Sequence, residues 1–368
     1  MKERMPKPSW ENTLYSLLKP FPLLPFAGLV KNSGKTTALN AVNTLFPDEC
    51  IGLTSIGYDG EAYDAVYHHP KPPISVHPGQ LVLTAERFLP DRREDYEILE
   101  SWGDHPQYGS WLILRVSATC SFRMAGPSTL SEIQKGLLRL KHLGATRLHI
   151  DGALNRLSHI TLYDTDKNPI NLSTMDYGFI LSTGAALGNT LKEVTERTLH
   201  WIKLFGLSLY PSSQLPNYRE WQNAFLHDNT WSVLPSFLWQ QDVSALIPTQ
   251  VDTIAMQGAF TDSIYLALRA AQRLPRQFIV RSPAHILLSP AVLTGLTSRG
   301  ITIQLLERPR IVMLTLSAWH PLTPIPTEHI AQALLPHSTI PLVDIEQHQV
   351  WTPSNYGGDS IDPTVHPK

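Results

Sequence analysis

One stretch of the chain constrains its fold more than any other. Pro22 to Val30 holds a short apolar segment, Leu23, Leu24, Phe26, Ala27, Leu29 and Val30, that reads as a buried strand. Lys31-Asn32-Ser33-Gly34-Lys35-Thr36-Thr37 follows directly. Ala38, Leu39, Ala41, Val42, Leu45 and Phe46 then recur at helical spacing until Pro47 and Asp48 stop the helix. A strand that turns through a small polar loop into an amphipathic helix is the first half of a crossover unit. Crossover units build parallel sheets covered by helices. The loop also carries chemistry. Few side chains obstruct it, so successive backbone N–H groups can turn toward one point. The helix behind it adds unsatisfied N–H groups and the positive end of its dipole. Together they make a nest for an anion.

These residues fit the P-loop pattern, with the strand before and the helix after in their required places. Asn32, Ser33, Gly34, Lys35, Thr36 and Thr37 form the candidate cradle for a triphosphate. Lys35 can reach the β and γ phosphates, and Thr36 can place its hydroxyl on Mg2+. One position departs from the pattern: Leu29 stands where the first glycine belongs, and Gly28 lies one step earlier. The plainer alternative is a Gly-Lys-Thr turn that binds nothing. A loop of this kind needs a second carboxylate at the end of a hydrophobic strand. Leu148-His149-Ile150-Asp151-Gly152 supplies one. Asp151 is therefore the candidate metal-side carboxylate and, with Lys35, a candidate catalytic residue. Its other reading is a strand-end aspartate capping a turn. Arg156, on the loop after Asp151, can read γ-phosphate charge or simply lie on the surface. No Asn-Lys-x-Asp guanine signature occurs in the chain, which points to ATP and leaves GTP open.

The alternation of strands and helices continues. Strands are expected at Cys50–Ile56, Trp111–Val116, Arg147–Asp151 and Tyr177–Gly184, with helices from Leu130 to Leu143 and Leu191 to Phe205. A lead-in helix runs from Trp10 to Leu18. Residues 206–250 are rich in Pro, Trp and Gln and read as a linker or lid. Alternation then resumes through Ile254–Gly258, Thr261–Arg273, Phe278–Val280, Pro290–Ser298, Ile301–Leu306, Ile311–Leu316, Thr327–Leu335 and Ile340–Asp344. The expected organisation is a nucleotide-binding domain over 1–205, a second, smaller α/β domain over 251–350 and a tail over 351–368. At 368 residues, about two domains is the ordinary expectation.

Composition narrows the function. Hydrophobic residues make up 42%, enough for real cores and too many for wholesale disorder. Thirty basic against 32 acidic side chains lack the surplus of a general nucleic-acid binder. Cys50 and Cys120 form no C-x-x-C pair, so neither a disulfide framework nor a zinc knuckle is expected. Met1–Glu11 has no apolar core of signal-peptide length, and no run approaches the roughly 18 apolar residues of a membrane span, so the expected location is the cytoplasm. His68, His69 and His77 resemble a metal cluster, but no cysteine or carboxylate pattern completes it, and loop histidines are the preferred reading. Ala125-Gly126-Pro127-Ser128 reads as a strand-to-helix connection with Ser128 or Thr129 as cap. Gly258-Ala259-Phe260-Thr261-Asp262 can hold an anion, or Thr261 can simply cap its helix. No Gly-x-Ser-x-Gly elbow appears, which disfavours a serine hydrolase.

The loop Lys31-Asn32-Ser33-Gly34-Lys35-Thr36-Thr37 resembles that of the molybdopterin-guanine-dinucleotide biosynthesis adapter proteins, in the branch of P-loop NTPases that includes metallochaperone and dimer-activated members. That resemblance covers the first strand, loop and helix, and implies nucleotide binding. In this branch the loop after the second strand, here Thr54-Ser55-Ile56-Gly57-Tyr58-Asp59-Gly60-Glu61, faces the γ-phosphate. It implies Asp59 as a second metal-side or water-positioning catalytic carboxylate and Glu61 as a weaker one; an ordinary Asp-Gly turn accounts equally for these residues. Such folds also place a loop near the base, here Thr183-Gly184-Ala185. Taken in order with Asp151-Gly152-Ala153-Leu154-Asn155-Arg156 and Gly258-Ala259-Phe260-Thr261-Asp262, these segments resemble a P-loop family linked to B12-dependent aminomutases, the lysine 5,6-aminomutase reactivases. The resemblance implies an ATP- and Mg2+-dependent switch that acts on a partner enzyme and lets inactive cobalamin leave. Dimers across the nucleotide are common in the branch, so a homodimer is expected. The chain departs from the family in its Pro- and Trp-rich middle and at Leu316-Ser317-Ala318-Trp319-His320-Pro321. A small-molecule kinase or ATP-dependent ligase in cofactor metabolism, and a nucleotide-binding ligand sensor without turnover, remain alternatives.

Overall fold

The computed structural model describes residues 9–57, 73–152, 178–215, 223–234 and 246–353. Ser9 accepts the Asn12 amide and so caps α1 (Trp10–Leu18), which buries Leu14 and Leu18. β1 (Leu23–Gly28) is buried at every residue, as its apolar run requires. α2 (Lys35–Asn43) follows, then β2 (Ile51–Ser55). Next come β3 (Ile74–Val76), β4 (Leu81–Ala85), β5 (Tyr96–His105), β6 (Gly109–Val116) and β7 (Cys120–Phe122). Thr129 caps α3 (Leu130–His142) and also bonds Glu132, a reciprocal capping box. β8 (Arg147–Asp151), β9 (Phe179–Gly184) and α4 (Leu191–Phe205) complete this part.

The chain divides into two compact units, and the division falls within α4. The second unit contains β10 (Asn223–His227), β11 (Thr230–Leu234), β12 (Thr253–Met256), β13 (Phe260–Thr261), α5 (Asp262–Ala270), β14 (Gln277–Val280), β15 (Ile286–Leu287), α6 (Pro290–Ser298) and β16 (Thr302–Leu305). Its main sheet runs β11-β10-β12-β14-β16, with the last three strands parallel. The chain then returns to the first unit through β17 (Ile311–Ser317), α7 (Thr327–Leu334), β18 (Leu342–Asp344) and β19 (Gln349–Trp351).

The first unit is built on a ten-stranded sheet in the order β19-β18-β17-β9-β1-β8-β2-β4-β6-β5. From β18 to β4 all neighbours are parallel; β19 at one edge and β6 and β5 at the other are antiparallel. The α/β, mostly parallel expectation therefore holds. Two boundaries differ. Residues 311–350, expected in the second domain, pair in the first sheet, because β17 lies beside β9. Alternation along the sequence cannot show that an intervening segment is an insertion. The expected linker or lid also contributes β10 and β11, a hairpin closed by Asp228 and Asn229, both at positive φ (48° and 58°).

One face of the first sheet packs Leu24 and Phe26 of β1 and Ile51 and Leu53 of β2 against Ala38, Leu39 and Val42 of α2. β8 contributes Arg147, His149 and Asp151 to this face, and all three are buried. Arg147 donates to the carbonyls of Phe21 (2.7 Å), Lys19 (3.2 Å) and Leu18 (3.3 Å) just after α1 and at its end. It also pairs with Glu49 at 3.0 Å and lies over the Phe46 ring. Removing it strands those acceptors, so Arg147→Met should cost about 3–5 kcal/mol in urea denaturation at pH 7.

His149 is held between Phe26 and Phe46, and its Nδ1 lies 2.7 Å from the Asn43 carboxamide oxygen. Burial, helped by the nearby Arg147 charge, lowers its pKa from 6.5 to about 3. The unfolded chain therefore takes up a proton that the folded chain refuses. Stability is unaffected by this group above about pH 6.5 and falls as pH drops from there toward 3, by about 1.4 kcal/mol per unit. His149→Phe should remove about 2 kcal/mol of the stability difference between pH 7 and pH 5, read from urea midpoints.

Candidate functional site

Parallel strands bring their carboxyl ends to one edge, and here that edge gathers Gly28 of β1, Asp151 of β8, Ser55 of β2, Gly184 of β9 and Ser317 of β17. From β1 the chain passes through α2 to β2 on one side, while β9 continues to β17 on the other. The two crossovers diverge between β1 and β9, the place where open α/β sheets bind ligands.

The β1–α2 loop lies at this point. The Leu29 amide bonds the Ser182 carbonyl at 2.8 Å, so Leu29 extends the strand and its side chain is buried. Ser33 folds back beneath the loop onto Gly28, where any Cβ would collide with the Ser33 hydroxyl. A side chain at Gly28 would displace Ser33, and the departure at Leu29 does not close the turn. Asn32 and Gly34 both take positive φ, 62° and 84°. Gly34 turns the chain into α2 in the left-handed conformation that glycine tolerates best.

The start of α2 is electrostatically unusual. Helices α1, α3, α5 and α6 each begin at a Ser or Thr whose oxygen accepts an amide. α2 has no side-chain cap and no acidic residue in its first turn. Instead it carries Lys35 at the positive end of its dipole, where a cation is disfavoured. Among the described residues, no hydrogen bond uses the amides of Ser33, Gly34, Thr36 or Thr37. Lys35 Nζ lies 2.8 Å from Asp151 Oδ1, with side-chain exposures of 14% and 2%. Asp151 reaches this place because its strand register sets it between Phe26 of β1 and Ser55 of β2. Two further groups complete the edge. The hydroxyls of Ser33 and Ser55 are buried and, among the described residues, have no hydrogen-bond partner, a costly condition that native interiors keep rare.

The structure thus gathers the expected Asn32, Ser33, Gly34, Lys35, Thr36 and Thr37 on one loop and helix start, and sets Asp151 against Lys35. Asp59, Glu61, Arg156, His68 and His69 lie outside the described residues. Thr183 is buried and bonds Thr198 at 2.8 Å, a contact inside the fold. The His77 amide bonds the Gln80 side chain, and no group of three or more potential metal ligands occurs among the described residues. Thr261 caps α5 through the Ile264 amide, the plainer of its two readings. No described helix is long and apolar enough to cross a membrane. Sequence reasoning placed Ser55 in the segment expected to face the γ-phosphate and Ser317 in a segment that departs from the resembled family, but gave neither side chain a role. Ser317 Cβ lies 3.4 Å from where a Gly34 Cβ would stand, a neighbour hidden by the assignment of β17 to the second domain. A small polar residue ending an apolar strand was the signal for both, joined at Ser55 by the resemblance of its segment. A comparison of the chain with protein-family models, curated proteins and solved structures finds no match.

Removing Lys35 takes its charge from a buried carboxylate. Lys35→Met should lower stability by about 2 kcal/mol, and adding Asp151→Asn should recover most of it, as measured by a double-mutant cycle in urea.

Proposed function

We propose that the β1–α2 loop is a phosphate-binding loop and that the chain is a Mg2+-dependent ATPase that reactivates or remodels a partner enzyme. The observation that carries the first half is the start of α2, where unbonded amides, no cap and a lysine at the positive dipole end coincide. Each of these is unfavourable for the helix by itself, and a polyanion relieves all of them together. The turn of the loop directs its amides and those of the first helical turn to the phosphates. Lys35 passes from Asp151 to the β and γ phosphates, which compete for its ammonium group with a higher charge density. Asp151, released from Lys35, and the Thr36 hydroxyl would then hold the Mg2+. Carboxylate and hydroxyl oxygens are the hard donors that suit Mg2+. Bound there, Mg2+ screens the charge of the phosphates.

The partner half rests on the order of the motifs, which resembles that of the aminomutase reactivases. In this reading ATP favours one conformation and its hydrolysis another, and the two differ in their grip on a B12-dependent aminomutase. ATP is preferred over GTP because no guanine-reading signature is present.

Calorimetry should show Lys35→Ala weakening ATP binding by a factor of ten or more, since a charge-assisted contact is lost. Asp151→Ala should retain ATP binding while phosphate release falls sharply. Unchanged affinity in the Lys35 variant removes the site. Failure of the purified protein, with ATP and fresh cobalamin, to restore an inactivated aminomutase removes the partner.

A further inference from the structure

We propose that Ser55 is a positioning residue on the metal side of this site, where its hydroxyl orients a water of the divalent cation beside Asp151. The inference rests on the phosphate-loop reading above. Ser55 ends β2 in register with Asp151, which ends β8. Registered residues of parallel strands face the same way. Strand alternation puts Ser55 on the face of Ile51 and Leu53, the one covered by α2 and the one from which Lys35 reaches Asp151. The Ile56 amide bonds the Asp151 carbonyl at 2.8 Å, so the two strand ends are tied at this point. Ser55 is 1% exposed, and its hydroxyl has no hydrogen-bond partner among the described residues.

A hydroxyl in that condition at the lip of a charged site marks a ligand that completes its bonding. Position decides which ligand. Mg2+ is bound through one or two carboxylates and phosphates and keeps several waters. A water on a cation held by Asp151 is a strong donor, and the Ser55 oxygen is an acceptor on the adjacent strand. Ser33, the other unpartnered hydroxyl, lies under the loop on Gly28 and so belongs to the phosphate side.

The test measures ATP binding to the full chain by calorimetry, with Mg2+ and with EDTA, for wild type, Ser55→Ala and Ser33→Ala. Ser55→Ala should match wild type in EDTA and have a nucleotide-free thermal midpoint at or above that of wild type, because it removes a buried hydroxyl that has no partner among the described residues. It should lose about tenfold of the affinity that Mg2+ adds, and need about tenfold more Mg2+ for half-maximal binding. Ser33→Ala should weaken binding equally in both conditions. If wild type gains affinity from Mg2+ and Ser55→Ala gains as much, the role of Ser55 falls while the phosphate loop stands. A Ser55→Ala protein that is less stable without nucleotide and unchanged in Mg2+ dependence makes Ser55 purely structural. If wild type binds no ATP in either condition, the phosphate loop falls and the inference with it.

Discussion

Strand β8 holds helix α2 at both of its ends. Asp151 takes Lys35, the first residue of the helix, and His149 takes Asn43, the last. Between them Ala38, Leu39 and Val42 pack on the sheet. Apolar packing is nondirectional and tolerates sliding, whereas a buried ion pair and a buried hydrogen bond each demand one geometry. The loop between β1 and α2 inherits its shape from this arrangement. β1 is fixed by pairing with β8 and β9, α2 is fixed by its two polar contacts, and the loop has to join them.

The buried polar residues of β8 also mark a gradient along the strand. Arg147, at the amino end, spreads its charge over Glu49 and the carbonyls around the end of α1. His149, in the middle, is neutral because burial denies it a proton. Asp151, at the carboxyl end, faces a cation. The hydroxyls of Ser33 and Ser55 that lack partners belong to this same carboxyl edge. The amino end is thus built to be complete in itself. The carboxyl end keeps a helix without a side-chain cap and, among the described residues, hydroxyls without partners. Those departures cost stability, and they are the physical support for the binding role proposed for this edge.

Elements with a strong local period were legible in the sequence. The helices over 10–18, 191–205 and 290–298 and the strand over 147–151 have the boundaries that the sequence suggests. The strand, turn and helix start over 23–43 were legible for the same reason, since they adjoin along the chain. What escaped depended on distant pairing. β4 and β5 were not anticipated, and β17 was assigned to the wrong unit, because only its partner β9 identifies its sheet. Ser55 lay within the segment expected to face the γ-phosphate but carried no assigned role, because a serine at a strand end means little until Asp151 is set beside it. Arg147 and His149 were read as ordinary strand residues. Their burial follows from Glu49 and Asn43, about a hundred positions away in sequence.

The departure at Leu29 shows what the loop pattern encodes. A glycine is conserved in such a pattern's first position only insofar as the returning chain needs room there, and room is a property of the fold. Here Leu29 remains in the strand through its bond to Ser182, so the return begins one residue later. The close approach then falls on Gly28, where the Ser33 side chain folds in. The demand for a residue without a side chain has moved by one position and has not vanished. Gly34 shows the complementary case. It is needed for its positive φ, and Ser317 is the neighbour that a Cβ there would touch, at 3.4 Å. A strand from far along the chain therefore lies beside a loop near its beginning, and the surroundings of that loop cannot be read from the short motif alone.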